Sequence, residues 1–167
     1  MDLRVTADRH GAVVDWGRGP RRAAIGLPGI AVKSGEGDGI TPIGAFPVRE
    51  IFYRADRIAK PDTRLPLRAL ETNDGWCDAP DDPNYNRLVK LPYPASAEQM
   101  WRQDRLYDLV VVLGYNDDPV VKGKGSAIFL HLARPDYSHT QGCVALAYDD
   151  AIAAIAQLRP GDQVVIA

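Results

Sequence analysis

The amino-acid sequence predicts a mainly β fold, a sandwich or mixed sheet with a few short helices. Three observations carry that expectation. Strand-sized runs recur along the chain, punctuated by Gly and Pro. Two apolar runs, residues 106–116 and 126–133, have the length and β-branched content of strands buried on both faces. Only two segments have helical composition. With 167 residues, 46% of them apolar, the chain can bury one substantial core, so one domain is expected over 1–167.

The elements follow in order. "LRVTADRHGAVVDWG" reads as two alternating strands turning at His10-Gly11, and "RRAAIG" and "GIAVKS" continue the meander. "GEGDGITPIG" carries four glycines and a Thr-Pro in a turn-rich loop, and "AFPVREIFYR" is a strand in which Pro47 favours an edge or a bulge. Residues 60–94 hold six of the 13 prolines without low-complexity filler, which predicts an ordered Pro-rich excursion over the core. "SAEQMWRQD" reads as a short helix capped at Ser96 with Glu98 in its first turn. The runs 106–116 and 126–133 are expected at the centre of the sheet. "DDAIAAIAQL" predicts a helix with Ile152, Ile155 and Leu158 on one side and Asp149 or Asp150 as cap; "RPGDQVVIA" turns into a final strand.

Charge points to no macromolecular partner: 20 basic residues face 22 acidic ones without clustering, which argues against nucleic acid or an anionic membrane surface. No apolar run reaches the roughly 20 residues of a membrane span, and "MDLRVTADRH" has charges where a signal peptide would need an apolar core, so it does not read as one. Two cysteines, Cys77 and Cys143, make no disulfide framework, and a free Cys143 is expected.

The chemistry concentrates in "HLARPDYSHTQGCVAL", which holds two of the three histidines and one of the two cysteines. Taken alone, His131 inside an apolar strand reads as a core histidine with a hydrogen-bonded ring. Cys143 alone reads as a small buried hydrophobe. Together, a cysteine just before a predicted helix and near an imidazole would have its thiolate favoured by dipole and charge. A zinc site from His131, His139 and Cys143 has irregular spacing and no evident fourth ligand. "VVKGKGS" lacks the residue order of a phosphate loop, so Gly123 and Gly125 are expected to make a hairpin turn.

The whole assembly resembles the YkuD-type L,D-transpeptidases. The family's Ser/Thr-x-Gly-Cys-hydrophobic signature matches Thr140 to Val144, its upstream histidine matches His131, and its Thr-Pro-x-Gly-x-Phe segment matches Thr41 to Phe46. The resemblance covers most of the chain and implies a YkuD-like β-sandwich or mixed sheet. This sequence departs from the pattern in three places that line the site: Leu132 follows the histidine where a small residue is usual, Gln141 replaces a frequent His or basic residue, and Ala145 stands where many members have Arg or Asn. Eleven residues separate His131 from Cys143, fewer than in typical members, which shortens one wall of the site.

The resemblance implies acyl transfer on peptidoglycan stem peptides, without cofactor or metal, and hence a periplasmic or cell-envelope location. Cys143 is the expected nucleophile, His131 the proton donor and acceptor, and the Leu132 main-chain carbonyl the group that orients the His131 ring. The amides of Gln141, Gly142 and Cys143 are the expected oxyanion hole. Arg134, His139, Thr140, Asn116 and Arg54 are candidates for holding substrate carboxylates. Trp76, Tyr85, Asn86 and Arg87 in the excursion either wall the cleft or merely pack. A cross-link between third positions of two stems, or between the first position of one and the third of another, hydrolysis by the same machinery, and a silent wall-binding module all remain open at this level.

Overall fold

The computed structural model describes residues 1–167. Its strands are β1 (Leu3–Asp8), β2 (Gly11–Asp15), β3 (Arg21–Ala24), β4 (Ile30–Ala31), β5 (Thr41–Pro42), β6 (Gly44–Tyr53), β7 (Leu67–Ala69), β8 (Asp74–Cys77), β9 (Leu88–Lys90), β10 (Ala97–Gln99), β11 (Leu109–Leu113), β12 (Phe129–Leu132), β13 (Val144–Leu146) and β14 (Gln163–Ile166), with one helix, α1 (Tyr148–Ile155). Nine strands form one sheet in the order β11-β12-β13-β3-β2-β1-β14-β6-β7, and β11 also pairs with β6, so the sheet closes on itself like a barrel. β6 makes that closure: its first half, Gly44 to Pro47, pairs with β14, and the stretch from Val48 to Tyr53 pairs with β11. The register slips opposite Arg49, a bulge two residues beyond Pro47.

Alternation sorts the buried strands into two cores. Leu109, Val111 and Leu113 of β11, Leu130 and Leu132 of β12, and Val144 and Leu146 of β13 join a 25-residue core together with Ala151, Ala154 and Ile155 of α1. The intervening Val110, Val112 and Phe129 point to the other face and join Phe52, Leu70, Trp76, Met100, Tyr107 and Cys143 in a smaller cluster. β11 and β12 are buried on both faces as their sequences require.

The Pro-rich segment is ordered and carries short strands. β7 pairs in parallel with the end of β6, and β8 is flanked by β9 and β10 in a separate three-stranded sheet. That sheet corrects the helix expected over "SAEQMWRQD". Ala97–Gln99 instead pairs antiparallel with Gly75–Cys77, and Met100, next in the chain, is fully buried in the smaller cluster. Tertiary pairing overrides the local helix signature. Helix α1 begins at Tyr148 with Ala147 as an N-cap that makes no side-chain bond, so Asp149 and Asp150 lie in the first turn and cap nothing. The segment around Gly123 and Gly125 is part of a long loop from β11 to β12 and not a tight hairpin, although both glycines have positive φ. No helix is long and apolar enough to cross a membrane.

Candidate active site

His131 faces the smaller cluster because β12 alternates: Leu130 and Leu132 fill the main core, so Phe129 and His131 must point the other way. The register sets His131 between Val110 of β11 and Ala145 of β13, and the small Ala145 leaves open space beside the ring. His131 Nδ1 lies 2.9 Å from the Leu132 carbonyl oxygen, so the tautomer this bond favours carries its proton on Nδ1 and leaves Nε2 as an acceptor. Tyr107 packs edge-on against the ring, with centroids 5.4 Å apart, and its hydroxyl bonds to Glu98.

Cys143 directly precedes β13, whose parallel pairing with β12 brings it beside Phe129. Its sulfur accepts a bond from Phe129 N at 3.4 Å, and the thiol donates to Ala127 O at 3.2 Å. These are the only hydrogen bonds of the sulfur, so in this state the thiol is held by main chain and not by the imidazole. Burial pushes the Cys143 thiol up to about 12 and lowers His131 to about 4, where Arg102 and Arg134 also disfavour the imidazolium. Burial therefore favours a neutral thiol beside a neutral imidazole, against the helix dipole and charge that were expected to favour the thiolate. The helix starts five residues after Cys143, beyond β13, so Cys143 is not in its first turn.

The glycine before the cysteine is irreplaceable on two counts. Gly142 has φ +121°, and a Cβ there would lie 2.8 Å from Ile40 O. The "GITPIG" segment thus packs directly under the cysteine turn. Thr41 Oγ1 accepts from Gly26 N at 2.9 Å, and Gly26 in turn abuts the Gly39 carbonyl so closely that a Cβ would fall 1.8 Å from it. Thr140 Oγ1 closes the turn by accepting from Gly142 N at 3.1 Å and donating to Cys143 O at 2.6 Å. Of the three expected oxyanion amides, Gly142 is consequently occupied, whereas those of Gln141 and Cys143 bond no acceptor within the chain.

A cleft of about 400 Å³ opens over Cys143 and His131. Arg134, His139, Thr140 and Gln141 line it, and Leu132 reaches it beside His131 while its side chain sits in the main core. Asn116 and Arg54 do not, and both are corrected. Asn116, at φ +48°, bonds Val121 and Gly125 and so shapes its own loop. Arg54 is buried, stacks 3.5 Å over Trp101 and pairs with Asp56. Lys33, Glu36, Asp78, Glu98, Arg102, Tyr107 and Ser126 line the cleft, and none of them was a site candidate in the sequence. Only the adjacency of Glu36 to the "GITPIG" motif offered a hint. No group of three His, Cys, Asp or Glu side chains has the arrangement of a metal site.

The excursion braces this cleft. Trp76 packs edge-on against Phe129 with centroids 5.0 Å apart and donates to Asn86 Oδ1 at 3.0 Å. Asn86 also accepts from Ala127 N and donates to the carbonyls of Tyr115 and Asn116, so one side chain ties the excursion to the loop that holds the cysteine sulfur. Tyr85 reaches across to Glu36 and accepts from Gly125 N at 3.0 Å. Of the four residues flagged in this segment, Trp76, Tyr85 and Asn86 pack and brace, and Arg87 is exposed.

The model of the YkuD L,D-transpeptidase catalytic domain matches residues 4–166. The chain belongs to that family. No curated protein matches it. Among solved structures it is similar to L,D-transpeptidase 1 of Mycobacterium tuberculosis, with 14% identity and a TM-score of 0.43, covering 99% of this chain and 61% of that one. It is also similar to an L,D-transpeptidase from Mycobacterium smegmatis, with 14% identity and a TM-score of 0.41, covering 99% of this chain and 58% of that one. This YkuD chain thus spans about three-fifths of each of those structures.

Proposed function

We propose that the protein is a peptidoglycan L,D-transpeptidase working through a thioester on Cys143, at the cell envelope where that substrate lies. The observation that carries the reading is the cleft in which Cys143, His131 with its Nδ1 bonded to Leu132 O, and two unoccupied amides meet, within a chain of this family. His131 Nε2 takes the thiol proton as the sulfur attacks the L-centred carbonyl of the donor stem. The C–S bond forms, the oxyanion is received by the amides of Gln141 and Cys143, and collapse breaks the C–N bond. His131 gives its proton to the departing D-centred amine. An acceptor amine then attacks the thioester, and the thiolate leaves and is reprotonated.

The buried neutral pair supports a sequence in which proton transfer accompanies attack, because a free thiolate would be desolvated here. Arg134 and His139, exposed at the cleft, are available to substrate carboxylates. The short wall between His131 and Cys143 and the braced excursion favour a remodelled donor site. Two products fit: a link between two diaminopimelate residues at third positions, or one from L-Ala at position one to diaminopimelate.

Tandem mass spectrometry of products from disaccharide tetrapeptide is the test. L-Ala bonded directly to the diaminopimelate side-chain amine identifies the first-to-third link, and a bond between two diaminopimelates the third-to-third link. Shortened monomers without dimers would make the protein a carboxypeptidase, and an unmodified substrate would leave only wall binding.

A further inference from the structure

Three carboxylates, Glu36, Asp78 and Glu98, line the cleft that holds Cys143, in a chain whose overall charge is only −2. They come from three separate segments: the glycine-rich loop, the end of β8 and strand β10. Their hydrogen bonding differs. Both oxygens of Glu36 are engaged, one by Tyr85 and the other by Ser126 Oγ. Glu98 receives the Tyr107 hydroxyl on one oxygen and has no bond within the chain to the other. Asp78 makes no side-chain hydrogen bond to stabilise its carboxylate. The unbonded oxygen of Glu98 and the Asp78 carboxylate on the cleft wall are what a cation with several N–H donors would satisfy.

The transpeptidation proposed above needs such a group. The acceptor amine reaches the enzyme as an ammonium ion and must lose one proton before its lone pair can attack the thioester. We propose that Glu98 and Asp78, backed by the charge of Glu36, form the subsite for the acceptor's primary ammonium, and that Glu98 takes its first proton. The balance is complete: the ammonium gives one proton to the Glu98 carboxylate, which later passes it to solvent. The neutral amine then attacks, the C–N bond forms and the C–S bond breaks. The second N–H proton goes to His131 Nε2 and from there to the Cys143 sulfur. Burial pushes the Glu98 carboxyl above its ordinary value, with Asp78 and Glu36 acting in the same direction against the Tyr107 bond and Arg102, which makes it a better base than an exposed carboxylate. Because β8 and β10 supply two of the three carboxylates, the small sheet built by the excursion becomes the acceptor side of the enzyme.

This subsite rests on the transpeptidase reading, and the test separates the two. The full chain is loaded with a donor tetrapeptide and challenged either with a diaminopimelate-bearing tripeptide or with hydroxylamine, an amine already neutral in ordinary buffer. In Glu98→Gln, whose amide oxygen still accepts from Tyr107, aminolysis by the cationic tripeptide should fall about tenfold or more through a raised acceptor KM or a lowered rate. Interception of the thioester by hydroxylamine should be the same as in wild type. Asp78→Asn should show the same selectivity more weakly, and it carries the test if Glu98→Gln does not fold. Equal losses toward both nucleophiles, or no loss toward either, would overturn the subsite. A wild-type chain that forms no thioester would overturn the transpeptidase reading itself.

Discussion

The closed sheet and the Pro-rich excursion meet at the same cleft but position their side chains by different means. In the sheet, placement follows from pairing register: once Val110, His131 and Ala145 are aligned across β11, β12 and β13, period-two alternation leaves His131 no face but the cleft. In the excursion, placement depends on individual polar bonds, such as the four in which Asn86 takes part. Register is cooperative and tolerant of single changes, whereas a single side-chain bracket is not. His131 therefore belongs to the robust region and the Asn86 brace to the fragile one.

The largest effect expected in the sheet region is on His131. His131→Gln should lower turnover about 1000-fold while leaving the fold in place, since proton transfer is lost but the buried volume is nearly kept. Burial of the neutral ring also sets a pH dependence. An unfolded imidazole titrates at 6.5 and the folded one at about 4, so the unfolded state binds the extra proton first as pH falls. The stabilisation is fully present above 6.5 and is lost as pH drops toward 4, on the order of 3 kcal/mol in all. Thermal melting across that range should show the decline, and the Gln variant should show a flatter profile.

Next in size is Gly142→Ala, which tests whether the cysteine turn tolerates a side chain. A left-handed φ and a Cβ 2.8 Å from Ile40 O should together cost about 2–3 kcal/mol and displace the nucleophile, lowering turnover at least as strongly as stability. A variant with the wild-type melting temperature would show that the turn is less constrained than its contacts imply. Smallest is Asn86→Ala in the excursion. It strands Trp76 Nε1 and Ala127 N, so stability should drop by about 1–3 kcal/mol. Peptide kcat/KM should fall severalfold, while maximal alkylation of Cys143 at high pH is retained. If the loss on Asn86→Ala matched that on His131→Gln, the division between the two regions would not hold.

The same division explains what could be read in the sequence. The apolar runs 106–116 and 126–133 and the final helix and strand carry local signals and form where those signals point, whereas the Gly-Cys turn leads into β13 and not directly into the helix. The β10 strand was unreadable because its pairing partner lies some twenty residues upstream, across the excursion. Cys143 and His131 were legible as a pair, but their neutral resting state was not, since burial depends on Phe129, Tyr107 and Trp76 packing around them. Arg54 and Asn116 looked available to substrate because nothing local indicated that Trp101 and the 121–125 loop would claim them. Glu98 and Asp78 sat in segments whose sequence suggested only a helix turn and a proline-rich loop.

Intact-protein mass spectrometry tests the central claim most directly. After incubation with a donor stem peptide and no acceptor amine, the chain should gain the mass of the peptide minus its departing D-centred portion, a single D-amino acid for a third-position donor or the rest of the stem for a first-position donor, mapped to Cys143 and absent from Cys143→Ala, which should melt close to wild type. An unmodified wild-type chain that nonetheless processes the peptide, or an adduct mapped to Cys77, would contradict the account.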